Sequence, residues 1–379
     1  MISYQIVEHG KPLQKVMQET PKPSGTEVLV RITRSGVCHS DVHIWDGYFD
    51  WGGGKRFYVK DRGCIPPFTM GHEPFGVVAA VGPRAKGVKV GQKRIVYPWI
   101  GCGKCPVCKA GQDNYCMQAR FLGVMKPGAY SSHVLVPHPK YLVDAAGIDE
   151  GFAATLGCSA ITAYSGINKL PNIGPKDWVA VIGCGGLGLV GISILRAKGV
   201  KNIIGCDVDE AKLDAARKQG AKLTLDTRAP DAAQKLGQLA MRNLAGAIDF
   251  VGMPATAMLG TGALRKGGRY VLCGLYGGEF VHPLPPIAQR AIGIVGSYVG
   301  NLQELKEVVA LAKKKKHKAT PVELRSLSEV NRTLQELKAG RVLGRVVIDM
   351  EKEAMKLVRA FDKLNSRSQP LARRREAAS

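Results

Sequence analysis

The sequence predicts an α/β protein in which a doubly wound parallel sheet is joined to a mainly β region carrying a four-cysteine lobe. Three observations predict it. From about residue 176 onward, apolar strand-like runs alternate with helical segments, the pattern of a parallel sheet covered by helices. Residues 1–157 are instead rich in Gly and Pro, with only short β-prone runs between them, which reads as irregular β structure wrapped around sites. Within that half, Cys102, Cys105, Cys108 and Cys116 crowd into the single stretch CGKCPVCKAGQDNYC.

In chain order, Glu27–Thr33, Gly76–Val81 and Arg94–Tyr97 are the clearest early strands. Trp178–Gly183 reads as a buried strand, Leu187–Lys198 as a helix stopped by Gly199, and Lys201–Asp207 as a second strand. Asp209 is placed to cap a helix over Glu210–Gln219, which ends at Gly220. Ala247–Val251, Arg269–Gly274 and Ile292–Tyr298 follow as further strands. Leu302–Lys316 and Ser328–Ala339 then read as helices, and Val342–Asp349 as a closing strand. Residues 351–379 read as a polar, basic extension, expected to be helical at first and to fray after Ser366. There are no internal repeats.

A chain of 379 residues, 45% hydrophobic and 22% charged, suits about two globular domains. Its N-terminus shows no basic segment followed by an apolar one, so no signal peptide is expected. The apolar run Trp178–Leu195 has the length of a membrane span, but its glycines divide it into strand, turn and helix. A cytoplasmic location is expected, and in such a reducing compartment ten cysteines serve as metal ligands or packing residues rather than disulfides. The net charge of +23, concentrated partly in Lys313–Lys316 and Arg373–Arg375, is high for a small-molecule enzyme. Charge alone specifies no partner, and no nucleic-acid-binding motif accompanies it. A solvated basic surface is the expectation, with a polyanion-binding role as the alternative.

Two-residue gaps between Cys102, Cys105 and Cys108 let successive thiolates converge, and the longer gap to Cys116 lets the chain return to close a tetrahedron. Four sulfurs around one Zn²⁺ make a closed, structural site. An iron–sulfur cluster is the rival, although bacterial clusters place the proline after the last cysteine and use a shorter final gap. Gly183-Cys-Gly-Gly-Leu-Gly188 is a GxGxxG turn with a strand before it, a helix after it and Asp207 closing the next strand. That context points to a Rossmann dinucleotide site: Gly183 for the turn, Gly185 for approach of a pyrophosphate and Gly188 for helix–strand packing, with Gly186 and Leu187 counted to the same cofactor site. The acid Asp207 favours NAD over NADP. Cys38, His72 and Cys158 stand in segments rich in metal-binding residues, and together would make a Cys₂His site with one open position, as catalytic zinc requires.

The ordered set Cys38-His-Ser-Asp-Val-His43, Gly71-His72-Glu73, the cysteine lobe, Cys158 before Ser-Ala-Ile-Thr-Ala-Tyr, GxGxxG, and Ile294–Asn301 resembles the zinc-dependent medium-chain alcohol dehydrogenases, closest to their yeast and bacterial tetrameric branch. The likeness covers roughly residues 20–350. It implies a mainly β, GroES-like catalytic domain from residues 1–158 and 300–350, with the zinc lobe at about 98–118 and the NAD-binding Rossmann domain, 159–299, inserted. It implies two zinc ions per subunit, one catalytic and one structural, and a homo-oligomer, tetramer or dimer, acting on small alcohols and aldehydes. By the same resemblance, Ser40 passes a proton toward His43, whose near-neutral pKa suits a relay. Asp41 orients His72, and Glu73 is an alternate metal ligand. His39 and Arg345 meet the pyrophosphate, Lys212 the adenosine ribose, and Trp45 and Trp99 wall the substrate. The stretch Tyr48–Cys64 between two ligands is longer than the family pattern and is a candidate specificity loop.

Overall fold

The computed structural model describes residues 1–314 and 318–352. The basic extension beyond residue 352 and the end of the lysine run lie outside the described residues. Two large sheets organise the chain. The first has seven strands, running Leu142–Asp144, Lys93–Val96, Pro74–Val81, Val28–Val37, Arg345–Asp349 and Val322–Ser326, with His133–Val136 also pairing on Val28–Val37. Most of its pairs are antiparallel, and Val28–Val37, buried at eight of its ten positions, is the central strand. The last two strands come from the far end of the sequence: Val346–Asp349 pair antiparallel with Arg34–Val37. The second sheet is therefore an insertion between strands of the first.

That second sheet has six parallel strands in the order Leu223–Asp226, Ile203–Asp207, Trp178–Ile182, Leu244–Asp249, Arg269–Leu272 and Gly293–Gly296. Strand order reverses beside Trp178–Ile182, so the crevice where a ligand binds such sheets opens at its carboxyl end. Trp178–Ile182 is buried throughout, which explains its unbroken apolar sequence. The following helix, Gly186–Ala197, begins one residue earlier than its periodicity predicts. Asp209 does cap Glu210–Gln219, accepting from the amides of Ala211 and Lys212. The strand Leu223–Asp226 and the helices Ala232–Leu239 and Pro254–Ala263 went unpredicted, since their apolar patterns are short and broken by polar residues.

The stretch Tyr48–Cys64 is not an open loop. Tyr48–Gly52 and Lys55–Tyr58 pair as an antiparallel hairpin, followed by a 3₁₀ turn over Val59–Arg62. Its tip crosses to the inserted sheet. A Cβ on Gly52 would stand 2.3 Å from Glu279 Cγ, and one on Gly277 would stand 2.6 Å from Asp50 Cβ. No helix among the described residues is long and apolar enough to cross a membrane.

Candidate active site

The lobe forms around its sulfurs. Cys102 and Cys108 Sγ are 3.9 Å apart, Cys105 and Cys116 Sγ are 3.8 Å apart, and all four lie within 4.8 Å of one another. A tetrahedron of metal–sulfur bonds of about 2.3 Å puts sulfurs about 3.8 Å apart, so one ion fits. A multi-iron cluster, with iron and sulfide between the thiolates, needs them further apart. The amides of Lys104 and Cys105 donate to Cys102 Sγ and hold that thiol down to about 6, favouring the thiolate that a metal needs.

The second cluster draws on three separate elements. Cys38 caps the helix His39–Asp46, His72 lies in the segment just before strand Pro74–Val81, and Cys158 sits in a π-helical turn, Leu156–Ala160, between two α-helical segments. Such turns recur at functional sites. Cys38, His72, Glu73 and Cys158 are all buried, with ligand atoms within 4.8 Å of one another, and the two thiols are 4.0 Å apart. A hydrogen bond from the Cys158 thiol, reinforced by His72, holds Cys38 well below the usual thiol range against the effect of burial.

His72 Nδ1 lies 2.9 Å from Asp41 Oδ1, while its Nε2 is buried without a partner. Burial alone would lower this imidazole's pKa, but the Asp41 carboxylate outweighs it and raises it. Asp41 is itself fully occupied: its Oδ2 accepts from the Cys38 amide at 2.9 Å and the Tyr130 hydroxyl at 2.8 Å. The orphaned Nε2 facing two thiols is what a zinc ligand set looks like before the ion is added. Tyr130 carries no sequence signal, being a lone tyrosine in a loop.

Glu73 and Arg345 form a buried ion pair, Arg345 Nη2 donating at 2.6 Å to Glu73 Oε2. Burial holds the Glu73 carboxyl up at about 7 even with Arg345 beside it. Arg345 also packs on the glycine-rich turn, since a Cβ on Gly186 would stand 2.5 Å from its Cδ, and its Nε has no partner. One side chain thus bridges the metal cluster and the dinucleotide turn.

In that turn, Gly183 has φ +85°, and a Cβ on Gly188 would stand 1.9 Å from the Gly183 carbonyl oxygen. A Cβ on Gly185 would meet nothing within 4 Å, leaving the open cradle that a pyrophosphate needs. Asp207 accepts from the Cys184 amide at 2.7 Å and from the amides of Val208 and Asp209, so it braces the turn.

A cavity of about 670 Å³ joins these parts, with Cys38 and Cys158 in its wall and Gly183, Gly185, Gly186, Leu187, Gly188, Asp207, Lys212 and Arg345 along its length. His39, Ser40, His43 and Trp99 line it too. Trp99 packs 5.4 Å from His72, and its indole N–H donates to the Gly157 carbonyl. Trp45, expected beside it, lies elsewhere. It is absent from the cavity wall, donates to the Lys11 carbonyl and packs in the core, because it lies on the face of its helix turned away from the metal cluster. His43 lies where expected but not in the expected state. Burial first, then the neighbouring His39, pushes its pKa down to about 4, well below the near-neutral value. Three residues with no assigned role also line the cavity: Thr162, one helical turn after Cys158 and with its hydroxyl unpartnered, Cys273 and Tyr298.

Comparison with known proteins agrees with this architecture. Residues 24–146 match the family described as "Alcohol dehydrogenase GroES-like domain" and residues 186–314 that described as "Zinc-binding dehydrogenase". The chain is 35% identical to a NAD-dependent alcohol dehydrogenase of Sulfurisphaera tokodaii, over 92% of this chain and 99% of that one. It is 33% identical to an alcohol dehydrogenase of Geobacillus stearothermophilus, over 91% and 98% respectively. The crystal structure of the alcohol dehydrogenase from Aeropyrum pernix superposes with a TM-score of 0.83 at 31% identity, covering 92% of this chain and all of that one. With both halves matched in order and relatives aligned over nearly their whole length, the chain belongs to the zinc-type medium-chain alcohol dehydrogenases.

Proposed function

We propose that this protein interconverts primary or secondary alcohols and their aldehydes or ketones with NAD, binding one zinc through Cys38, His72 and Cys158 and a second through Cys102, Cys105, Cys108 and Cys116. The observation that carries the reading is the buried, unpartnered His72 Nε2 between two thiols, in a cavity that runs on to the open cradle at Gly185. Zinc at the three-ligand position supplies Lewis acidity toward an alcohol oxygen, and NAD supplies the hydride acceptor.

This chain's residues do the rest. Asp41, fixed by Tyr130 and the Cys38 amide, holds His72 in one tautomer with Nε2 free to ligate. Arg345 offers its unpartnered Nε toward the phosphates while tethering Glu73, the candidate alternate ligand. Asp207 faces the ribose, with Lys212 and His39 nearby on the same wall. Ser40 and His43 line the path by which a hydroxyl proton would leave, and at a pKa of about 4 the imidazole of His43 passes protons as a neutral ring rather than storing one.

The wall of aromatic side chains, Phe49, Trp51, Phe57, Trp99 and Tyr298, favours a second form of the same reading, reduction of larger or aromatic aldehydes. Assembly into a homo-oligomer, dimer or tetramer, is supported by the edge strand Gly293–Gly296, with exposed Leu272, Ile294 and Leu284 around it. Cysteines that are all free suit a cytoplasmic setting. The test is a nicotinamide-absorbance screen over primary, secondary and aromatic alcohols with zinc-replete protein. Failure both to reduce NAD with any alcohol and to oxidise NADH with any corresponding aldehyde or ketone refutes the assignment.

A further inference from the structure

The hairpin and 3₁₀ turn over the cavity carry four cations, Lys55, Arg56, Lys60 and Arg62. Arg56 lies over the Tyr48 ring at 4.1 Å and Lys60 over Tyr58 at 5.6 Å, and neither lines the cavity. Arg62 does. Its guanidinium carbon stands 4.6 Å over Phe57, which in turn stacks on Trp51 at 4.9 Å and 13° between planes. No hydrogen bond or ion pair engages Arg62 among the described residues. A stacked guanidinium keeps its planar fork of N–H donors available at the edge.

Its position is on the substrate side. Burial pushes the Tyr298 hydroxyl's pKa up while the Arg62 charge pulls it back, and Tyr298 packs 6.3 Å from Trp99, the neighbour of His72. The cavity's own carboxylates do not answer this charge. Asp50 accepts from the Gly52 amide, and Asp207 is held by three backbone amides at the adenosine end. The aromatic wall of this cavity therefore also carries a forked cation without a direct ion-pair partner among the described residues.

We propose that Arg62 binds a carboxylate at the far end of the substrate, so that the preferred substrates are alcohols or aldehydes bearing a remote carboxylate on an aromatic or similarly flat body. The proposal rests on the alcohol-oxidation reading of the metal site for which end of the substrate faces inward.

Its test compares para-(hydroxymethyl)benzoate with the neutral isostere para-(hydroxymethyl)benzamide, in wild type, Arg62→Gln and Arg62→Lys. A wild-type preference in kcat/KM of up to about fivefold for the carboxylate is expected, the scale of one ion pair at an exposed residue such as Arg62. It should shrink as salt rises, fall to about one in Arg62→Gln and survive in part in Arg62→Lys. Equal kcat/KM for the two in wild type, or a preference unmoved by Arg62→Gln, overturns the proposal. Equilibrium binding of para-formylbenzoate and para-formylbenzamide, read by quenching of tryptophan fluorescence, separates it from the catalytic reading. Absent turnover with selective binding of the carboxylate supports Arg62 and faults the chemistry assigned to the metal site. Equal binding overturns Arg62 whatever the turnover.

Discussion

His43 gives the sharpest quantitative handle on this protein. Its ring is stacked 4.7 Å from Phe49, lies 5.4 Å from His39 and is held down to about 4 from an ordinary 6.5, chiefly by burial. The unfolded chain therefore takes up a proton on this ring below about pH 6.5, whereas the folded protein does so only below about 4. Between those limits acid favours unfolding, so stability falls as pH drops and is regained as it rises. The whole displacement corresponds to at most about 3 kcal/mol, of which about 2 kcal/mol is already lost at about pH 5. His43→Gln removes the titration. Urea unfolding of both proteins at about pH 7.5 and about pH 5 should show wild type losing about 2 kcal/mol more than the variant across that interval. Parallel losses, within about 0.5 kcal/mol, would falsify the claim that the fold holds this ring neutral. The same reasoning places no limb near pH 6.5 from His43 in the pH–rate profile of the free enzyme.

Three further outcomes are expected. Asp207→Asn removes a charge that would face a 2′-phosphate about 5 Å away, an interaction of about 1–3 kcal/mol, so the ratio of kcat/KM for NAD to that for NADP should fall by about five- to 150-fold; a wild type already preferring NADP contradicts the assignment. Tyr130→Phe deletes a buried hydrogen bond to Asp41, which should cost about 1.5–3 kcal/mol in unfolding free energy and weaken metal binding about tenfold at the Cys38 cluster only. Equal weakening at the cysteine lobe would show a general defect instead. Metal analysis should find two zinc ions per chain, and a mild chelator should take the first together with activity and leave the second with the fold; one zinc per chain, or an iron chromophore, refutes this.

The parts legible in the sequence were those whose chemistry is written in local spacing. The four-cysteine lobe, the glycine turn with its strand and helix, and the Asp209 cap each lie within a few residues, and the structure forms them there. Cys38, His72 and Cys158 are far apart in the chain and were legible only as metal-binding residue types in three separate segments, a reading that the resemblance of ordered motifs then joined. What escaped is what the fold decides at long range. Glu73 and Arg345 meet across 272 residues of sequence. Tyr130 reaches Asp41 from a separate loop, and nothing in the sequence around Cys158 announces a π-helical turn. Trp45 and Trp99 are the same residue type in similar apolar surroundings and both are buried, and only the long-range fold puts Trp99 on the cavity wall. His43's low pKa is likewise a product of burial.

The contact between the hairpin tip and the inserted half is made largely by glycine main chain, Gly52 and Gly53 against Gly278 and the Glu279 side chain, and Gly277 against Asp50. Most of the residues that meet there have no side chain to interdigitate or to freeze into one rotamer. Such a seam works like a magnetic catch rather than a zip: parting it gives up few packed atoms, and closing it orders little beyond the main chain. Such a strap makes an easily opened door between the hairpin and the inserted half. Any side chain added at Gly52 or Gly277 would act as a doorstop, holding the two halves of the protein ajar.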